Sequence, residues 1–284
     1  MSNLKILVRG AYDIQKLRIQ MGNRLVGNFK AKLGQAPSEP EDTIDVTGQV
    51  VLKQLRADYK KITDGIKIFP THKKFKSQGV IENYTELCLI ASYKGLEDKE
   101  AQHFKHLKDV LVEYRLWTDY LKGVKGIGPA MAGVLLSEID IYKAKYPSSL
   151  WKLAGYDVGP DGAGRSRKKE HLVQSDYTAA DGTIKQKMGI SFNPFLKTKL
   201  SGVLGASFLK SKNELYATSY YEYKERLENH VDHKNKTKGH RHNMAIRYMI
   251  KRFLADLHVV WRTQEGLSVS VPYSEAKLGM KHAS

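Results

Sequence analysis

The segment Val124-Lys125-Gly126-Ile127-Gly128-Pro129-Ala130 most constrains what this chain can fold into. Upstream, Phe104, Leu107, Leu111, Tyr114, Thr118 and Leu121 step by 3, 4, 3, 4 and 3 residues, the spacing of one helical face. That predicts a helix ending near Leu121, with a seam suited to pairing within the chain or between two copies. Gly126 and Gly128 permit positive φ and a close backbone approach, while Ile127 between them points inward as an anchor. Pro129 suits the first turn of a second helix, where its missing N–H costs nothing. Ala132 lets the two helices pack closely, and Val134, Leu135 and Leu136 continue the second. The expectation is a helix-hairpin-helix over 121–140, whose bare amides and helix dipole make an anion site. Lys122 and Lys125 add charge beside Gly126, Ile127 and Gly128. Such a contact positions a nucleic-acid backbone and does not read bases.

The overall charge points the same way. Lys and Arg number 47 against 30 Asp and Glu, a formal charge of +17 in 284 residues, which calls for a polyanionic partner. No apolar run approaches the length of a membrane span, so DNA is expected and membrane is not. The single cysteine, Cys88, excludes an internal disulfide framework and a cysteine-rich zinc finger. Its apolar neighbours suggest a buried, inert thiol. Met1-Ser2-Asn3-Leu4 has none of the parts of a secretory signal, so a cytoplasmic location is expected.

Apolar spacing elsewhere predicts a mainly α protein: a helical N-terminal region over 1–100, then the long seam, the hairpin and a basic C-terminal helical domain within 101–284. Tyr12, Leu17, Met21, Leu25, Phe29 and Leu33 mark one helix, and Val51, Leu55, Tyr59, Ile62, Ile66 and Phe69 another, with a third over 81–93. Between the first two, Pro37, Pro40 and an acidic run predict a loop. Glycines 155, 159, 162 and 164 announce an irregular segment that leads into Arg165-Ser166-Arg167-Lys168-Lys169. Helical spacing returns over 195–209 and 213–230, and most clearly at Ile246, Ile250, Phe253, Leu257 and Val260. From Lys197 to Arg252 there are thirteen Lys/Arg against five Asp/Glu, among them Lys197, Lys199, Arg247 and Lys251. These basic residues are expected to contact phosphate, with steep salt dependence. Tyr216, Tyr220, Tyr221 and Tyr223 fall among them and read as packing residues or as base-stacking ones. His230, His233, His240 and His242 lie close together, but the surrounding Lys and Arg oppose a divalent cation, so no metal site is assigned.

Several of these pieces, taken in order, resemble a known family. Gly126-Ile127-Gly128-Pro129 followed by Leu136-Ser137-Glu138-Ile139-Asp140 is similar to its GIGP…EIGD. Leu150-Trp151-Lys152-Leu153-Ala154-Gly155-Tyr156 and Gly159-Pro160 match its next conserved stretch. Arg165-Ser166-Arg167-Lys168 stands where it has Ser-Gly and basic residues. Asn193-Pro194-Phe195-Leu196-Lys197-Thr198-Lys199-Leu200 follows, then a closing helix around Ala245-Ile246-Arg247-Tyr248-Met249-Ile250-Lys251-Arg252, with Trp261-Arg262 and Pro272-Tyr273. Over about 121–273 the chain resembles the C-terminal domain of the IS-one-ten insertion-sequence transposases, the bridge-RNA-guided family, also called the transposase-twenty domain.

The resemblance implies DNA transposition by serine-dependent phosphodiester transesterification, with Ser166 in the position of the nucleophile and a guide RNA as a second partner. Such a serine needs a base nearby or a lowered pKa, and cations on the developing charge. Arg165, Arg167, Lys168 and Lys169 answer the second need. The chain departs from the family in two places: Ser166 is followed by Arg, and 170–190 reads as an insertion. Residues 1–100 also carry no strand with the Asp-x-x-Lys start of the family's RuvC-like domain, and Asp13, Asp58, Asp64 and Asp98 read as helix-surface or cap residues. No cofactor motif is evident, and a divalent metal enters only with a nuclease domain or partner. Two other readings stay open: a helix-hairpin-helix protein that grips DNA without cutting it, and a repair nuclease, which needs a carboxylate cluster.

Overall fold

The computed structural model describes residues 3–36, 38, 50, 53, 57, 61, 68–77, 81–159 and 161–269. Two compact units divide the chain, one of residues 6–107 and one of residues 1–5 with 108–284. Among the described residues the protein is mainly helical, with a single two-stranded sheet. None of the described helices is long and apolar enough to cross a membrane.

The first unit is built on most of α1 (Asn3–Lys32) and α2 (Tyr84–Leu111). Their partners run in opposite directions along the chain, so the pair is antiparallel. The Tyr12 and Phe104 rings meet edge to face at 5.8 Å, and Gln15 and Arg18 both bind the Glu100 carboxylate. Further along, Leu25 and Phe29 bury with Leu87, Ile90 and Ile81, and Asn28 and Lys32 hold Glu86. α1 starts well before the expected Tyr12, and Leu17 is 52% exposed, so the buried stripe passes through Val8 and Ala11 instead. Of the helix expected over 51–69, the seam residues Val51, Leu55, Tyr59, Ile62 and Ile66 lie outside the described residues, as do Asp58, Asp64 and Pro272-Tyr273. Cys88 is half-buried.

The expected seam over 104–121 is not one helix. α2 stops at Leu111, Val112 is exposed, and a short α3 (Arg115–Asp119) follows before a 3-10 turn at Leu121–Gly123. The reason is burial of Leu116 and Trp117, which lie off the seam's face. Turning the backbone at Tyr114 puts both in the core and leaves Thr118 exposed. Residues 104–121 therefore offer no continuous helical stripe to a second copy.

The second unit continues with α4 (Pro129–Glu138) and α5 (Pro147–Leu153), then a 3-10 turn at Lys169–His171. Strands β1 (Val173–Thr178) and β2 (Ile184–Gly189) come next, in the stretch that reads as inserted. α6 (Pro194–Thr198), a π turn at Lys199–Leu204 and α7 (Gly205–Lys210) form one bent rod. α8 (Glu214–Asn229) and α9 (Lys238–Gln264) close the unit. α9 is its spine: Ile246, Met249, Ile250, Phe253, Leu254, Leu257 and Trp261 are buried at helical spacing. Phe253 meets Phe208 and Tyr216 at 5.4 Å each. Arg262, on this same buried side, donates to the Ile141, Ala144 and Ser268 carbonyls.

Candidate nucleic-acid interface and serine site

At the glycine corner, only Gly126 takes positive φ, at 102°. A Cβ there would come within 2.9 Å of Ser211 Oγ and 3.0 Å of the Phe208 ring, so glycine is required for both conformation and space. Gly128 is the N-cap of α4 at φ −104°, a conformation open to any residue, and nothing lies within 4 Å of its Cβ position. The corner's carbonyls are drawn inward. Ser207 Oγ donates to Gly126 O at 2.7 Å and Asn213 Nδ2 to Lys125 O at 2.8 Å, while Ile127 is buried. Pro129 stands at the start of α4, and no side chain caps its first turn. With the carbonyls fixed inside, the uncapped dipole faces outward, flanked by the exposed Lys122 and Lys125.

The loop from Asp157 to His171 brings a serine, a histidine and an aspartate together. Ser166 Oγ lies 2.9 Å from His171 Nδ1, and His171 Nε2 lies 3.0 Å from Asp161 Oδ1. The Ser166 backbone N–H also donates to Nδ1, at 3.0 Å. That makes Nδ1 an acceptor and puts the imidazole proton on Nε2, facing the carboxylate. The Lys168 N–H reaches Ser166 Oγ at 3.3 Å, a donor where negative charge on that oxygen would need one. His171 is 1% exposed, and Gly159 is what admits it: a Cβ on Gly159 would sit 2.5 Å from Nε2 and 2.9 Å from Asp161 Oδ1. Asp161 is held below the usual carboxylate range, chiefly by the Ala163 N–H and then by His171.

Four cations gather on the same loop. Arg165 makes a two-nitrogen contact to Asp157 Oδ2, at 2.8 and 3.1 Å, which raises its pKa further. Lys197 Nζ donates to the Arg165 carbonyl, and Arg247 donates to the Asp157 carbonyl at 3.2 Å. Arg247 also stands over the Tyr156 ring at 5.5 Å, and Lys251 over the Trp151 ring at 4.3 Å. Tyr156 is fixed in turn by Ser201 of the π turn, at 2.7 Å. Burial, then Arg247 and Arg167, pull Lys197 down to about 8, with Asp157 opposing. Burial and then Arg247 lower Lys251, and burial lowers Arg247 itself. Half-buried like charges set against one carboxylate are unfavourable until an anion joins them. Such an arrangement can accept an anion on side chains alone.

Of the residues expected at a site, the structure brings Arg165, Ser166, Lys197, Arg247 and Lys251 to one loop, with Arg167 close enough to act on Lys197. Lys168 contributes its backbone N–H, and Lys169 opens the turn that delivers His171. Lys199 sits over the Phe195 ring on the π turn, its pKa lowered by burial. Lys122, Lys125 and Gly126-Ile127-Gly128 form the separate corner. The sequence reading missed His171, Asp161 and Asp157. The signal available was a histidine five residues after the serine in a glycine-rich loop, with an aspartate five residues before it. Tyr216 and Tyr220 are core residues, Tyr221 is exposed, and Tyr223 stacks on Tyr248 at 4.2 Å. His242 pairs with the Tyr220 hydroxyl at 2.6 Å, and Thr237 caps α9. Among the described residues no group of three or more His, Cys, Asp or Glu is placed to hold a metal. No family model matches the chain, nor does any curated protein or solved structure.

Proposed function

We propose that this protein binds DNA and exchanges its strands through a serine nucleophile, as the resemblance to the IS-one-ten transposases implies. The observation that carries the reading is the array Ser166 Oγ, His171 and Asp161 at 2.9 and 3.0 Å, set in a loop ringed by half-buried cations. In this reading the glycine corner grips one stretch of backbone and the cations hold the phosphate to be cut. His171 Nδ1 takes the Ser166 proton as Oγ bonds to phosphorus, while the Nε2–H goes on donating to the Asp161 carboxylate. The bond from phosphorus to one sugar oxygen breaks, and that oxygen leaves as a hydroxyl with the proton that His171 accepted. Attack of another strand's hydroxyl on the phosphoserine reverses the step and completes an exchange. Arg165, Lys197 and Arg247 neutralise the charge that grows on the phosphate oxygens.

The test is incubation with a random-sequence duplex pool, followed by denaturing electrophoresis. A protein–DNA adduct formed by the wild type and missing in Ser166→Ala supports the reading. Tight, salt-sensitive binding with no adduct under any condition would leave a protein that grips DNA without cutting it. One observation favours that second reading: the Ser166 N–H shares His171 Nδ1, so the serine and histidine also brace the loop.

A further inference from the structure

The ribbon of β1 and β2 is unlike the rest of the molecule. Every residue of both strands is exposed except the half-buried Gly189, so both faces are bare. A lone two-stranded hairpin is marginal in water, and no third strand among the described residues joins it. Its roots, however, lie in the serine site. β1 begins just after the buried His171, and β2 returns to Phe192, over whose ring Lys197 stands at 4.5 Å. The exposed Arg167, Lys168 and Lys169 precede it, joined to it through the turn that carries His171.

The strand register sorts its chemistry. Val173, Ser175 and Tyr177 face across to Gly189, Lys187 and Lys185, and Gln174, Asp176 and Thr178 to Met188, Gln186 and Ile184. One face thus carries Lys185, Lys187 and Tyr177, Lys187 lying 4.8 Å over the Tyr177 ring and Lys185 reaching Asp181 of the connecting turn at 3.3 Å. The other carries Gln174 and Gln186, hydrogen-bonded to each other, with Asp176 directly across from Gln186, beside Ile184 and Met188, which are 76% and 58% exposed. Amide side chains with apolar ones beside them suit the edges of A·T pairs, where adenine offers an acceptor and a donor and thymine a methyl group. A two-stranded ribbon fits the major groove.

We infer that this ribbon lies in the major groove of duplex DNA next to the phosphate held at Ser166. Its lysine face meets the backbone and its glutamine face meets base edges. The inference rests on the DNA-binding reading above and adds base recognition, which neither the glycine corner nor the cation cluster supplies.

The experiment compares the full chain with a variant in which a Gly-Gly turn joins Val173 to Gly189, whose Cα atoms are cross-strand partners. A second variant, Tyr177→Ala with Lys185→Ala and Lys187→Ala, keeps the ribbon and changes only exposed side chains. Binding is read by fluorescence anisotropy on a random duplex pool, untreated and premethylated at guanine N7, which obstructs the major groove. The wild type should bind the methylated pool more weakly, and the shortened variant should not distinguish the two. Its salt slope should fall by roughly 2, as should that of the triple variant, from loss of two phosphate-contacting lysines. Equal affinity, slope and discrimination in wild type and both variants overturns the ribbon's role and leaves the DNA-binding reading standing. A wild-type dimer that the shortening turns to monomer, with DNA binding per protomer unchanged, assigns the ribbon to a second copy and also overturns it. A wild type that binds neither pool overturns both readings.

Discussion

The glycine corner and the Ser166 loop offer an anion opposite kinds of partner. The corner uses backbone: its carbonyls are pinned by Ser207 and Asn213, and its amides carry no titratable proton. The loop uses side chains: Arg165, Lys197, Arg247 and Lys251 crowd around Asp157, and burial, then Arg247 and Arg167, pull Lys197 down to about 8. A backbone site should grip any phosphate at any ordinary pH. A crowded cationic site should respond to pH, and beside a serine with a histidine base it can also react.

The largest expected effect falls on the loop alone. His171→Ala should slow formation of the Ser166–DNA adduct by roughly 10²–10⁴, the usual share of a general base, and leave DNA affinity nearly unchanged. Gly159→Ala should reproduce much of that loss without removing any reacting group, because its methyl displaces the His171–Asp161 pair. An adduct rate unaffected by both changes would mean that the two anion sites do not differ in chemistry.

The corner should fail by losing its shape. Gly126→Val meets a positive φ as well as Ser211 and Phe208, and should cost about 2–4 kcal/mol in denaturant unfolding. Gly128→Val adds bulk in open space and should weaken DNA binding with little change in stability. Equal destabilisation by the two would show that Gly128 also serves packing.

A smaller effect separates the sites by pH. In the free protein Lys197 is charged below about 8 and loses its proton as pH rises through that value. A bound phosphate keeps the proton on, so DNA affinity should be full below pH 8 and decline above it, by at most about tenfold per pH unit. Lys197→Arg stays charged and should flatten the decline. The smallest effect belongs to the corner's flanks: Lys122→Ala and Lys125→Ala should each lower the salt slope by about 1 while shifting no pH profile.

The same contrast explains what the sequence made legible. The corner could be read because its turn chemistry is local: Gly126 takes a positive φ and Pro129 opens α4. α9 could be read because a fully buried stripe repeats with the helix. Ser166 and its basic neighbours stood out, but their partners did not, since His171 and Asp161 meet only where Gly159 leaves room. The ribbon was missed because strands exposed on both faces carry no apolar alternation. The break after Leu111 was missed because Leu116 and Trp117 draw the chain off an otherwise regular seam.

Whether His171 activates Ser166 can be measured without knowing any DNA target. A fluorophosphonate probe attacks only serines that a nearby base has made nucleophilic, and peptide mapping finds the labelled residue. Ser166 should be labelled, with duplex DNA blocking the reaction and His171→Ala slowing it at least about a hundredfold. An unlabelled Ser166 in the folded, DNA-binding protein would contradict activation by His171.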